Sequence, residues 1–481
     1  MERLGGSTMI QQSWAPLIDL NYAHVIMQEE VGLLATDEAA TLLVALDRTD
    51  KATDPKDVAR TGMNPYTYLE GKVIDIVGSA VGGKLHTGRS KNDLMTAVYQ
   101  VVARDFLLSV IDATCSFRDE LLDLATETTD VVMPAYTHGQ PAQPITVAHY
   151  LLGFDHLLDR DLDRLERAYE ITNRSPLGAA AIGGTGFPLD RERLAELTGF
   201  DGVRRNAYDA VASMDFITEA AAALAILRTN LTRLAADLIE WVTFPHQYAS
   251  VESDQLGASS IMPQKRNPGT LESIRADGSE AIGAATSALT HFKGVPFGDV
   301  GDRRAAAHLP LVDQQADTIE SITRLADFVG VLTFDEEQLY ADAAESFCTM
   351  TELADTLVRE AELSFRQAHA VASTLTDSML AAGKNADEIS PADVSAAVET
   401  ELGRSISLER SSIEAALDPW QNVTRRRTVG GTAPDQSKRD LVAQRSSLAD
   451  DRSWLTAARD RLATADRLRH NRIEAICAVE K

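Results

Sequence analysis

The chain is short of cysteine and of positive charge, and it has no long apolar run. Three cysteines stand in 481 residues, at Cys115, Cys348 and Cys477. Separations this wide, with no C-x-x-C pair, exclude a disulfide framework and any familiar zinc spacing, and point to a reducing compartment, the cytoplasm. Lysine and arginine number 46 against 72 aspartates and glutamates, a net charge of −26. That balance disfavours nucleic acid and anionic membranes as partners. No stretch of about 18 apolar residues occurs, the span a membrane helix needs. The first residues, MERLGGSTMIQQSW, have no apolar signal core. With 44% hydrophobic and 25% charged residues the composition is that of a globular protein, and its length allows two or three domains.

Helical periodicity fills the space that alternating strands leave empty. Residues 209–243 hold neither glycine nor proline, and Val211, Phe216, Leu224, Leu227, Leu231, Leu234 and Ile239 recur at three- and four-residue steps. At about 1.5 Å per residue this predicts one helix of roughly 50 Å. Residues 92–129, 144–172, 270–293 and 310–332 repeat the pattern, so the expected fold is all-α, a bundle of long helices. Gly/Pro-rich loops punctuate it at 78–84, 133–144, 175–188 and 294–302. Boundaries near 95 and 340 divide the chain into an N-terminal helical domain (1–95), a central bundle (96–340) and a C-terminal helical domain (341–481). Residues 418–436 read as a linker before a last helix.

Three polar loops carry the candidate chemistry. HTGRSKND (86–93) is also what a helix cap before Asn92 looks like, YTHGQPAQP (136–144) also fits a turn with a half-buried His138, and ASSIMPQKRNP (258–268) also fits a solvated loop. Together they form a set suited to removing a proton from the carbon beside a carboxylate. That reaction needs donors aimed at the carboxylate as its charge grows, which Lys265, Asn267, Thr137, Ser90 and Asn92 supply. It also needs a base, which Ser259 or Ser260 can be once a cation and backbone donors lower the hydroxyl's pKa.

GASSIMPQKRNP (257–268) resembles the signature loop of the fumarase/aspartase superfamily, whose members eliminate fumarate from substituted succinates. With KLHTGRSKND and YTHGQPAQPITVAHYLLGF it is similar to argininosuccinate lyases, and EGKVIDIVG (70–78), GGTGFPLDRERLAELTGF (183–200) and GGTAP (430–434) agree. The resemblance implies Ser259 as the base, Lys265 and Asn267 on the carboxylate that gains charge, and His138 with Glu272 as an acid or electrostatic pair. Ser90, Lys91, Asn92, Thr137 and Gln140 would bind the substrate. It also implies a three-domain fold, a homotetramer with a twenty-helix core, active sites shared by three chains, and no metal or organic cofactor.

The departures from that pattern gather where the leaving amine would sit. After KGVP (293–296), these lyases continue with a segment like Tyr-Asn-x-Asp-x-Gln-Glu-x-Lys. Here FGDVGDRRAAAH puts Asp299 at the tyrosine, Arg304 at the glutamine and Ala307 at the lysine. Arg304 suits an anionic leaving group and Asp299 a cationic one. Lys91 replaces an arginine, trading a planar fork for a point charge. Tyr66 stands at a histidine position, Ala258 at a glycine, and SMD (213–215) in place of DRD. The expected activity is therefore release of fumarate from an N-substituted aspartate whose amine is not arginine. Argininosuccinate lyase proper and a catalytically silent structural protein on the same scaffold are the alternatives.

Overall fold

The structure, a computed structural model, describes residues 4–244, 246–252, 255–300, 311 and 314–478, with side chains from residue 8 onward. Helices α1 (Leu4–Glu30), α2 (Thr36–Ala52), α3 (Pro55–Thr61), α4 (Pro65–Val77) and α5 (Ser79–Gly82) lead into α6 (Lys91–Glu127) and α7 (Val147–Thr172). The short α8 (Arg191–Thr198) and α9 (Ala207–Ala212) precede the rods α10 (Asp215–Val242) and α11 (Gly269–Phe292). Then come α12 (Gln315–Gly330), α13 (Glu336–Glu345), α14 (Met350–Glu360), α15 (Phe365–Ala381) and α16 (Pro391–Leu402). The chain ends in α17 (Arg410–Leu417), α18 (Pro419–Arg425) and α19 (Pro434–Ala478). Strands are few and short: β1 (Val132–Thr137), β2 (Gln140–Thr146), β3 (Ala249–Ser250), β4 (Gly257–Ala258), β5 (Arg266–Asn267) and β6 (Thr333–Phe334). They pair antiparallel as β1 with β2, β3 with β6 and β4 with β5. The fold is all-α.

Apolar stripes sort the helices. Trp14, Leu42, Leu69 and Val98 gather α1, α2, α4 and the start of α6 into one core. Leu107, Leu151, Phe216, Leu227, Leu271 and Leu325 build the central one from α6, α7, α10, α11 and α12. Leu353, Val371, Val394 and Ile413 close a third among α14 to α17. Helix α19 leaves that third core: Leu441, Leu448 and Leu455 pack into the central bundle, and Ile476 reaches the first.

Two local expectations change. The predicted single helix over 209–243 breaks at Ser213–Met214, because the Ser213 hydroxyl donates to Asp215 at 2.6 Å and so competes with helical backbone bonding. The predicted linker at 418–436 begins with α18, which Asp418 caps by accepting the Gln421 N–H and which Pro419 starts. Helix α6 has the length and apolar content to cross a membrane, but 78% of that apolar window is buried inside the bundle.

Candidate active site

The HTGRSKND loop is both a cap and a donor set. The Ser90 oxygen accepts the Asn92 N–H at 3.3 Å, and Asp93 returns a bond to the Ser90 N–H at 2.9 Å, a capping box that starts α6. Among the described residues nothing accepts the Ser90 hydroxyl proton. Lys91 is exposed on the first turn and Asn92 is half-buried. Asp93 is fully buried and accepts the Gly178 and Ala180 N–H groups, each at 3.0 Å, so it ties this loop to the one after α7. Burial pushes its carboxyl up to about 6 against those bonds.

Behind the loop lies a braced polar layer that the sequence pattern did not reveal. Tyr66, fully buried, donates to Glu70 at 3.0 Å, so the His86 Nδ1–H is the donor in the 2.8 Å bond to the Tyr66 oxygen. Arg89 lies 5.1 Å over the Tyr66 ring and also donates to Asn21. His24 donates through Nε2 to the Thr87 carbonyl at 3.0 Å, and burial, then the Arg89 charge, hold its pKa well below the usual imidazole value. Tyr66 therefore supports the loop from inside.

His138 occupies the tip of the β1–β2 hairpin. Thr137 pairs with Gln140, and His138 and Gly139 between them have φ of 56° and 71°, a two-residue turn with both residues left-handed. That geometry explains the His-Gly pair, and it leaves the imidazole exposed rather than half-buried. Tyr248 donates to Asp342 at 2.7 Å, so Tyr136 donates to the Tyr248 oxygen and anchors the hairpin next to its tip. A cavity of about 570 Å³ opens beside it, lined by Tyr136, Gly139, Tyr150, Trp241, His246 and Tyr248 among others.

The signature loop is a second hairpin. Gly257 pairs with Asn267 and Ala258 with Arg266, and residues 259–265 cross between them. Ala258 is extended in β4, a conformation open to any residue, so the missing glycine costs no strain here. The Ser259 Oγ accepts the N–H groups of Met262 at 3.0 Å and Ile261 at 3.4 Å. Two backbone donors on one hydroxyl oxygen stabilise its alkoxide, as a base requires. Lys265 is exposed, Asn267 half-buried, and Glu272 exposed on the first turn of α11. Ile261 is 83% exposed, an apolar side chain held out from the loop.

These groups lie at two ends of the molecule. Asn92 Nδ2 donates to Asp299 at 2.5 Å, which places the segment after α11 at the start of α6. The Ser259 loop precedes the other end of α11, and 24 residues of helix separate the two ends, about 36 Å. Likewise Ser90 lies at the start of α6 and the His138 hairpin follows its other end, with 37 residues of helix between the two ends, about 55 Å. One chain therefore joins Asn92 with Asp299, and Ser259 with Lys265 and Asn267, but does not bring the sets together. Arg304 and Ala307 lie outside the described residues.

Comparison with known proteins places these loops in context. A family model described as lyase matches residues 23–283, and one described as argininosuccinate lyase C-terminal matches 347–424. Argininosuccinate lyase 1 of Shouchella clausii is 34% identical over 463 residues, covering 95% of this chain and 92% of that one. Argininosuccinate lyase of Natronomonas pharaonis is 40% identical over 451 residues, covering 92% and 88%. Among solved structures, EDDS lyase in complex with formate superposes with a TM-score of 0.91 at 33% identity, covering 99% of this chain and 96% of the other. Class II fumarase of Schistosoma mansoni, at 16% identity, covers 86% of this chain and 90% of that one with a TM-score of 0.67, and shares the fold.

Proposed function

Because the chain belongs to the argininosuccinate lyase-like members of the fumarase/aspartase superfamily, and is a carbon–nitrogen lyase, we propose that it releases fumarate from an N-substituted L-aspartate whose amine portion is not arginine. Ser259 acts as the base. Its alkoxide, held by the Ile261 and Met262 N–H groups, takes a proton from the carbon beside one carboxylate, and the negative charge spreads into that carboxylate. Lys265 and Asn267 are the donors that receive the charge. Ser90, Lys91, Asn92, Thr137 and Gln140 hold the succinyl half, and His138 with Glu272 serves the departing nitrogen. The C–N bond then breaks, the double bond of fumarate forms, and the amine leaves with a proton. The separation of the loops along α6 and α11 favours a site built from several copies of the chain, as in the tetramer the family resemblance implies. The silent-scaffold alternative gives way to the enzyme.

Asp299 carries the reading of the amine: a carboxylate bonded to Asn92 stands where arginine-releasing relatives are expected to place a tyrosine. A second reading, argininosuccinate lyase proper, is favoured by the names of the sequence relatives. Absorbance of fumarate separates the two. The purified protein mixed with argininosuccinate is expected to release fumarate far below the rate of an arginine-pathway enzyme, while fumarate mixed with a panel of amines yields adducts by mass. Full turnover of argininosuccinate would establish the second reading.

A further inference from the structure

We propose that the cavity beside the His138 hairpin is a binding site for a protonated organic amine, its ammonium paired with Glu240 and its carbon body set against the surrounding rings. At about 570 Å³ the cavity has the size of an ordinary small-molecule site. Tyr136 comes to it from the hairpin, Tyr150 from α7, Asp237, Glu240 and Trp241 from the last turns of α10, and Tyr248 from the segment beyond. The walls are fixed by their own bonds. Tyr150 donates to Asp237 at 2.5 Å, and its ring stands 4.7 Å from that of Trp241, edge to face. Tyr136 donates to Tyr248, which donates to Asp342 at 2.7 Å. Burial, then Asp237, pushes the Tyr150 phenol up, and burial, then Tyr136 and Asp342, does the same to Tyr248. Both rings therefore stay neutral, and a ligand finds the site already shaped.

The charge of the lining is of one sign. Asp237 and Glu240 lie one turn apart on α10, on the same side of the helix, and no lysine or arginine lines the cavity with them. Arg233, a turn earlier, acts on the Tyr150 hydroxyl but is not part of the lining. The remaining titratable group is His246, whose ring stands 6.0 Å from that of Tyr136 and 5.0 Å from that of Tyr248. Tyr150 already occupies one oxygen of Asp237. Glu240 is exposed and has no hydrogen-bond or ion-pair partner among the described residues. An anion would meet two carboxylates here, and a neutral apolar molecule would leave Glu240 unanswered. A quaternary ammonium would suit the rings but bring no N–H to the carboxylate. A protonated amine supplies both, a charged donor for Glu240 and a cation beside tyrosine and tryptophan rings. The inference does not depend on the proposed elimination, which makes no use of Glu240.

Calorimetric titration of the purified full chain tests it. Phenethylamine, a cation at neutral pH, is titrated into the wild type and into Glu240→Gln, beside phenethyl alcohol, which has the same carbon body and no charge. Glu240 is exposed, so the variant is expected to melt as the wild type does. The amine should bind the variant at least about fivefold more weakly than the wild type, and the alcohol should bind the wild type more weakly than the amine by a similar factor. Equal affinity of the amine for both proteins would place it elsewhere, the proposed elimination site included, and overturns the inference. Equal binding of amine and alcohol overturns the role of charge, and no binding of the amine overturns the site itself.

Discussion

The Ser90 oxygen accepts the Asn92 N–H at the start of α6, and no described residue accepts its proton. The capping role does not compete with the proposed one, because a capping oxygen can still donate its proton to a substrate. Ser259 presents a similar economy, since the turn that shapes the loop also aims two N–H groups at the hydroxyl. Its loop is exposed and adds little to the core. Ser259→Ala should therefore lower kcat by at least about a thousandfold with thermal unfolding unchanged. Adduct formation from fumarate, measured beside a melting curve, checks both halves; retained activity would remove Ser259 from the mechanism. The bracing roles of Asp93 and Tyr66 escaped the sequence reading because nothing in spacing tells a buried brace from a surface polar residue.

At the scale of elements, helices were legible wherever an apolar stripe had a partner, and illegible where a local polar contact overrode it. Ser213 is the example: the stripe continues through it, but a side-chain bond to Asp215 ends α9 and restarts the chain as α10. The His138–Gly139 turn was readable in kind, since left-handed pairs in two-residue turns favour small or polar residues, yet its exposure was not. Tyr66 ties α4 to the HTGRSKND loop through Glu70 and His86. Tyr66→Phe removes a buried hydroxyl from two half-buried partners and should cost about 1 kcal/mol. Chemical denaturation reads that loss, and a change within error would mean that water replaces the hydroxyl.

Across the whole molecule, carboxylates crowd where α19 crosses the bundle. Arg118, fully buried, holds Asp155 at 2.8 Å, Asp159 at 2.9 Å and Asp451 at 2.7 Å. Nearby, burial, then Asp451, Asp163 and Glu170, raise the Glu166 carboxyl to about 7, and its Oε1 is buried without a hydrogen-bond partner among the described residues. A group whose pKa is raised on folding stabilises the fold below its unfolded value, about 4.3, and loses that contribution as pH rises through about 7. The melting temperature should fall between pH 5 and pH 8, and Glu166→Gln should flatten that slope; an identical slope in the variant would assign the effect elsewhere.

The long helices also set how sites are completed. If Ser259 and Asn92 act in one site while standing at opposite ends of α11, they come from different copies. Ser259→Ala and Asn92→Ala, each nearly inactive alone, should then recover part of the wild-type rate when unfolded together and refolded as mixed oligomers. A mixture as silent as its parents would place both residues in one chain's site.

The substrate claim is tested most directly by one comparison of fumarate release at 240 nm. The protein is given argininosuccinate in one cuvette, and an arginine-pathway argininosuccinate lyase is given the same substrate in another. A kcat/KM at least about a hundredfold lower for this protein is the predicted result. Comparable release from argininosuccinate would contradict the account.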